Sequence, residues 1–317
     1  ELLGRKESYE VAKYGMSAAL NQIGSSIMFW TDTLVMGYCL PSAVIGAYNT
    51  ITSMARTAMY TFLGQVFSIL TSMLSHLHGA KSEIFGSLAS NATRWNSYVT
   101  LPIAIISVFF AREITTLLFP VYAEYFWLLY LFIPGTYIAV ISSPARSALS
   151  AIGRSDLIFK CTLAGIIPNL VLNVIFVPIY GIIGATVSTI ATMTFSDLIA
   201  IYYARREAKF TVHPLAYCAI LPAAVMAIVL VCSYELLYNY SGGGKIMMAI
   251  GMGLASALSC LVYFIILAQS RLINDTDRMI MDKTVAMGLR TLKLDKILRN
   301  RQQRTGYEYK KRANRRK

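Results

Sequence analysis

The chain has 317 residues, of which 56% are hydrophobic and only 14% are charged, and its formal net charge is +13. Soluble domains carry roughly 25% charged residues, so this composition excludes an ordinary soluble protein. Together with a mean hydropathy of +0.54, it indicates an integral membrane protein.

The apolar runs divide the chain into eight predicted transmembrane segments. A spanning helix needs about 20 apolar residues, and backbone groups within lipid must be hydrogen-bonded inside the segment. We therefore predict an all-α integral membrane protein with about eight transmembrane helices and a basic cytoplasmic tail. The predicted helices are 14–38, 46–75, 96–118, 126–150, 157–178, 182–204, 214–238 and 245–269.

The loops between these segments alternate in positive charge. The first and fifth loops, around Pro41 and at 178–181, hold no Lys or Arg. The even-numbered loops are basic, with Lys81 and Arg94, then Arg154 and Lys160, then Arg205, Arg206 and Lys209. Since Lys and Arg mark the cytoplasmic side, we predict a multi-pass protein of the cell membrane with both termini in the cytoplasm.

The positive charge is concentrated after the last segment. Residues 271–317 hold 15 Lys or Arg and 5 Asp or Glu, a net charge of +10. Apolar Met281, Val285 and Leu289 recur there at helical spacing, which indicates either a solvated cytoplasmic tail or a helix that binds the anionic lipids of the inner leaflet. No recognised nucleic-acid-binding fold accompanies the charge, so no nucleic-acid partner is predicted.

An ionisable residue inside a span costs roughly 2.5–3.5 kcal/mol on insertion scales, so such residues are candidates for function. We single out four of them. Arg56 is predicted to line a cavity, and Arg146, nearer the inner end, either does the same or extends to the interface. Asp32 lies near the outer end, where it is either functional or simply hydrated. Asp197 is predicted to pair with a basic group or to carry a coupling proton.

Two amide pairs complete the candidate substrate cavity. Asn169 and Asn173 are one helical turn apart and share a face, so they either bond between helices or contact a polar ligand. Asn21 and Gln22 on the first helix are interpreted in the same way. A cavity lined by arginine and amide groups suits an anionic or sugar-bearing head group whose lipid tail stays in the bilayer.

No catalytic motif accompanies these residues. The sequence has no Ser/His/Asp set, no Walker-type loop and no metal-ligand spacing among its 5 cysteines and 3 histidines. We therefore predict that the chain is not an enzyme and uses no cofactor or metal.

Three motifs resemble a known family. The first is Gly153-Arg154-Ser155-Asp156 followed by the run 168–186, PNLVLNVIFVPIYGIIGAT. The second is TDTLVMG at 31–37 with VIGAYN at 44–49, and the third is LLFP at 117–120. Together they resemble the polysaccharide-biosynthesis flippases of the multidrug/oligosaccharidyl-lipid/polysaccharide exporter superfamily.

The resemblance implies an arrangement of domains. Members have two six-helix lobes and often two additional C-terminal helices. By this resemblance, residues 1–210 form the second lobe, 211–270 the additional pair and 271–317 the tail, and the first lobe is expected as a missing partner.

The resemblance also implies a function. The chain is expected to take part in flipping a polyprenyl-linked oligosaccharide across the membrane by alternating access. Arg56 would line the cavity from the second helix, and Asn21, Gln22 and Asp32 from the first. Glycan-assembly enzymes are expected as further partners.

Three other functions stay open at this point. Asp32 is compatible with a cation-coupled multidrug exporter of the same superfamily. A membrane glycan polymerase or glycosyltransferase would need a large external loop, and the predicted outside loops are short. A scaffold that recruits glycan enzymes through its basic tail is the third possibility.

Overall fold

The computed structural model describes residues 5–77, 82–213, 219–240 and 245–269, with side chains described at 15–61, 86, 88–213, 219–236 and 247–269. Within these ranges every regular element is helical, which confirms the all-α prediction. The elements are α1 (Arg5–Cys39), α2 (Ser42–Leu77), α3 (Ser82–Phe109), α4 (Ala111–Leu118), a 3-10 segment (Pro120–Tyr125), α5 (Leu128–Ala151), α6 (Ser155–Ala208), α7 (Ile220–Tyr240) and α8 (Lys245–Gln269).

The chain divides into two compact units, Glu1–Tyr263 and Phe264–Lys317. All the interactions discussed below lie within the first unit. Of the second unit the structure describes only residues 264–269, at the end of α8. The predicted basic tail, 271–317, lies outside the described residues, and its lipid contacts stay a prediction.

Several of these helices can cross a membrane. In the described part of the chain, α5, α6 and residues 247–269 of α8 are long and apolar enough, and α3 with α4 gives a fourth span if the two are taken together. The apolar part of α7, Ile220–Leu236, is shorter. The chain is thus a multi-pass helical membrane protein, and the count of eight spans stays a prediction.

Helix α6 is a hairpin in which 54 residues run without a loop. Its backbone leaves the helical region at Gly181, where φ is 58° and ψ is −133°, a conformation that only glycine adopts at low cost. The Ser196 hydroxyl donates to the Cys161 carbonyl at 2.7 Å, and Asn169 donates to Thr192 at 3.2 Å. In each pair one residue precedes Gly181 and the other follows it at a similar distance along the chain. Arms 155–180 and 182–208 are therefore antiparallel, and they correspond to the predicted helices 157–178 and 182–204.

The hairpin depends on a second glycine. A Cβ atom added to Gly184 would lie 2.3 Å from the Phe176 carbonyl oxygen on the opposite arm. We expect Gly184→Ala to destabilise the protein by roughly 2–4 kcal/mol because the two arms must separate. The measurement is the midpoint of thermal unfolding in detergent micelles. Gly37→Ala is the matched control, because nothing lies within 4 Å of its added Cβ atom. Equal midpoints for the two variants would contradict this account of the hairpin.

Helix α3 differs most from its predicted bounds. It begins at Ser82, not near 96, and ends at Phe109, where α4 continues at an angle of 73°. Arg94 is therefore not a loop residue: it lies within α3 and is only 1% exposed. The polar stretch was wrongly predicted as loop because its side chains are buried against other elements. For example, the Ser90 hydroxyl accepts from the backbone N–H of Thr211 at 3.0 Å, and the Thr93 hydroxyl accepts from that of His213 at 3.1 Å.

A large hydrophobic cluster among the described residues joins α1, α2, α5 and α6, and it includes Ala104 of α3 and Ala111 of α4. Its centre contains Met36, Tyr48, Ile51, Phe132 and Val177, each at most 2% exposed. A second cluster joins α3 and α4 to α7 and α8 through Phe110, Leu230, Met252 and Ala255. The first cluster fixes the four helices whose polar faces meet in the cavity described next.

Candidate substrate cavity

A polar cavity of about 590 Å³ lies between α1, α2, α5 and both arms of α6. Its wall mixes hydroxyl groups, two arginines and one carboxylate with a few apolar side chains. The lining residues are Asn21, Ser25, Met28, Phe29, Arg56, Tyr60, Ala139, Ser143, Arg146, Ser147, Ser150, Ile158, Thr162, Thr189, Met193, Ser196 and Asp197.

Arg56 extends from α2 into this cavity. Its guanidinium carbon lies 4.5 Å from the centre of the Phe29 ring and 5.9 Å from that of Phe132. Its Nε is buried without a hydrogen-bond partner among the described residues, and no ion pair between described residues includes it. Aromatic faces stabilise a cation but leave its N–H groups able to bind an anion.

Arg146 differs from Arg56 because it already has a counter-ion. From α5 its Nε and Nη2 both lie 3.0 Å from Oδ1 of Asp197 on the second arm of α6. Nη2 also donates to the Ser196 hydroxyl at 2.8 Å. The pair lies on the cavity wall, with the Arg146 side chain 28% exposed and that of Asp197 9% exposed.

The face of α5 that carries Arg146 is polar from Ser143 to Ser150. Ser143, Arg146, Ser147 and Ser150 recur at helical spacing, and all four line the cavity. The intervening Ala145, Ala148 and Leu149 are fully buried. The spacing of these serines is visible in the sequence, but of this face only Arg146 was predicted as a site residue.

Asp32 is the centre of a buried hydrogen-bond network next to the cavity. Tyr48 and Thr189 donate to Oδ2 at 2.6 and 2.5 Å, and Asn173 and Asn169 donate to Oδ1 at 2.8 and 3.4 Å. These four donors come from α2 and from both arms of α6, and they share one carboxylate on α1 that is 1% exposed. The network therefore connects α1, α2 and α6 through the side chain of Asp32.

The structure places the predicted site residues in three groups. Arg56, Arg146, Asn21 and Asp197 line the cavity. Asp32, Asn169 and Asn173 do not line it: they lie behind its wall, and only Thr189 of their network reaches the cavity. The alternative of a hydrated Asp32 is wrong, because Tyr48 and the hairpin cover it. Gln22 is exposed and outside the lining, since one residue along α1 turns the side chain by about 100° from Asn21.

Other functional residues have no clear sequence signal. Tyr48 and Thr189 lie far from Asp32 in the sequence, so their convergence depends on the packing of α2 and α6. Asn21 accepts a hydrogen bond from Thr162 at 2.5 Å, which ties α1 to the first arm of α6. Among the described residues no three His, Cys, Asp or Glu side chains cluster in a way that could hold a metal ion.

Comparisons with known proteins find similar sequences. A family model described as "Polysaccharide biosynthesis protein" matches residues 3–121. The predicted resemblance is confirmed. Two flippases of Haloferax volcanii are also similar: the probable low-salt glycan biosynthesis flippase Agl15 is 21% identical over 227 residues, and the probable flippase AglR is 22% identical over 198.

The match extends over part of each relative. It covers 68% of this chain and 46% of Agl15, and 61% of this chain and 40% of AglR. An uncharacterized membrane protein of Methanocaldococcus jannaschii is 24% identical over 60% of this chain and 38% of its own length. The chain therefore spans less than half of the length of these relatives.

A solved structure shares the fold. The lipid II flippase MurJ in an inward closed conformation superposes with a TM-score of 0.63 and 17% identity, over 80% of this chain and 52% of that chain. The helical arrangement is thus that of a MurJ-like membrane protein, within which the cavity and the Asp32 network are built.

Proposed function

We propose that this chain forms one half of a flippase that moves a lipid-linked glycan across the cell membrane by alternating access. The observation that carries the proposal is Arg56, a cation that faces a polar cavity with no acidic partner among the described residues. Its free N–H groups suit the phosphate that links a glycan to its lipid. The named relatives Agl15 and AglR support the same function.

The cavity suits the rest of such a head group. Ser25, Ser147, Ser150 and Thr162 present hydroxyl groups, which exchange hydrogen bonds with the hydroxyls of a sugar. The apolar outer faces of α1 and α6, with Ile27, Leu34, Leu170 and Val174 exposed, suit contact with lipid or with another membrane domain. The polyprenyl chain would stay in the bilayer while the head group crosses.

The proposal includes the predicted organisation. Residues 1–210 would form the second lobe, 211–270 two additional helices and 271–317 a cytoplasmic tail near anionic lipids. A first six-helix lobe would supply the opposite wall of the cavity, and both termini of this chain would be cytoplasmic. The carboxylates Asp32 and Asp197 are the candidates for coupling transport to an ion gradient. The proposal makes the chain a transporter without catalytic chemistry of its own.

The experiment is deletion of the gene in its own host, followed by two measurements. If the proposal holds, the mutant accumulates lipid-linked glycan on the inner leaflet, loses surface glycan and keeps its normal tolerance of cationic dyes. Dye sensitivity with normal surface glycan would instead establish the multidrug-exporter alternative. Restoring the deletion strain with a gene that lacks 271–317 tests the tail: restored surface glycan would exclude the scaffold alternative.

A further inference from the structure

The ion pair of Arg146 with Asp197 lies in the wall of the cavity, and the proposed function gives it no role in substrate binding. A transporter that binds an anion has Arg56 available, yet the second arginine of the wall is occupied by a carboxylate from its own chain. Both Nε and Nη2 of Arg146 contact a single oxygen, Oδ1 of Asp197, at 3.0 Å. The pair joins α5 to the second arm of α6.

The carboxylate holds the position that a phosphate oxygen would take. A guanidinium group binds carboxylate and phosphate oxygens with the same planar arrangement of N–H donors. Ser196 supports the guanidinium independently, because its hydroxyl accepts from Nη2 at 2.8 Å while it donates to the Cys161 carbonyl at 2.7 Å. Arg146 therefore stays oriented towards the cavity when Asp197 moves away.

A second set of ion pairs, at the two ends of α6, differs from the Arg146–Asp197 pair. Arg154 donates to Glu207 at 2.9 Å and to Asp156 at 3.0 Å, which ties the two ends of α6 together. None of these three residues lines the cavity. These contacts hold the two ends of α6 together, whereas the Arg146–Asp197 pair lies on the cavity wall, where a ligand can contact it.

We propose that Asp197 is an internal competitor of the substrate anion. In the empty cavity it neutralises Arg146; when a lipid diphosphate binds Arg56, the phosphate displaces Asp197 and takes Arg146 as its second cation. The return of Asp197 to Arg146 then favours release on the other side. A carrier must bind its substrate firmly enough to load it and weakly enough to release it, and Asp197 sets that balance. This inference rests on the proposed function, since it assumes an anionic head group.

The test is a binding titration on the purified chain in nanodiscs of zwitterionic lipid, with farnesyl diphosphate as the probe and farnesol as its neutral counterpart. We expect Asp197→Asn to bind farnesyl diphosphate roughly 10- to 100-fold more tightly than the wild type, the range for one added hydrogen-bonded charge contact. Farnesol binding is expected to stay unchanged. Asp197→Ser is a second variant in case the asparagine side chain itself bonds Arg146.

Two controls test whether the tighter binding of farnesyl diphosphate depends on Arg146. Glu207→Gln removes one negative charge from the same helix outside the cavity, and its affinity is expected to equal that of the wild type. In the double variant R146Q/D197N the gain is expected to disappear, because the arginine that Asp197 releases is no longer there.

The outcomes separate the inference from the proposed function. If the wild type does not bind farnesyl diphosphate, or binds it equally well after Arg56→Gln, the proposed anion site fails and the inference fails with it. If binding depends on Arg56 but both Asp197 variants bind no more tightly than the wild type, Asp197 is structural and only the inference is overturned. A gain that persists in the double variant also overturns it.

Discussion

Replacing Arg56 by glutamine is expected to reduce translocation of the lipid-linked glycan by at least tenfold while the protein stays folded. Glutamine keeps the aliphatic first part of the side chain and a polar end, but it is shorter and lacks the charge that lies over the Phe29 ring. A hydrogen bond to a charged group contributes roughly 1.5–3 kcal/mol, and one pair of such bonds accounts for more than a tenfold change in affinity. The measurement is surface glycan in the deletion strain carrying each variant.

The control for this variant is Arg205→Gln. Arg205 is an exposed arginine near the end of α6 and does not line the cavity, so its loss changes the net charge equally without touching the site. Arg56→Lys is expected to retain part of the activity, because it keeps the charge but not the planar fork. Full activity of Arg56→Gln would show that the cavity does not bind the phosphate through α2.

The second large effect is expected at Asp32. Asp32→Ala would leave the hydroxyls of Tyr48 and Thr189 and the amides of Asn169 and Asn173 without their common acceptor. A buried polar group that loses its partner costs roughly 1–3 kcal/mol, so we expect a loss of about 4 kcal/mol or more, reduced where water enters. The measurement is thermal unfolding in detergent micelles, in which the midpoint should fall by roughly 10 °C.

Two further variants define the cause. Asp32→Asn has nearly the same shape but replaces one acceptor oxygen with a donor, so it should also be destabilised, by less than the alanine variant. Glu124→Ala removes an exposed carboxylate and is the matched control, with no expected change. If Asp32→Ala unfolds at the same temperature as Glu124→Ala, the network does not hold α1, α2 and α6 together.

The sequence predicts the helices well where long apolar runs dominate their composition. Helices α5 and α8 begin and end within a few residues of their predicted bounds, and the reversal within α6 falls at the predicted junction near Gly181. Apolar runs of this length have few alternatives within a membrane. Prediction fails where polar residues are buried by neighbouring helices, as in the first half of α3.

The site is predictable only in part for the same reason. Arg56, Arg146 and Asp197 were found because an ionisable residue in an apolar segment is conspicuous in the sequence. The packing of α1 against α2 and α6 decides which of these residues share a cavity. The same packing places Tyr48 over Asp32. A single sequence does not contain that pairing, so the hydrogen-bond network around Asp32 was not foreseen.

The burial of Arg94 has a consequence for how the protein is made. A segment that carries an arginine, two asparagines and several hydroxyl residues between Ser82 and Ser97 inserts poorly into lipid by itself. Its hydrogen-bond acceptors include the Val140 carbonyl on α5, which is synthesised later. We therefore expect α3 to remain in or beside the translocon until α5 has emerged from the ribosome, so that the two helices enter the bilayer together.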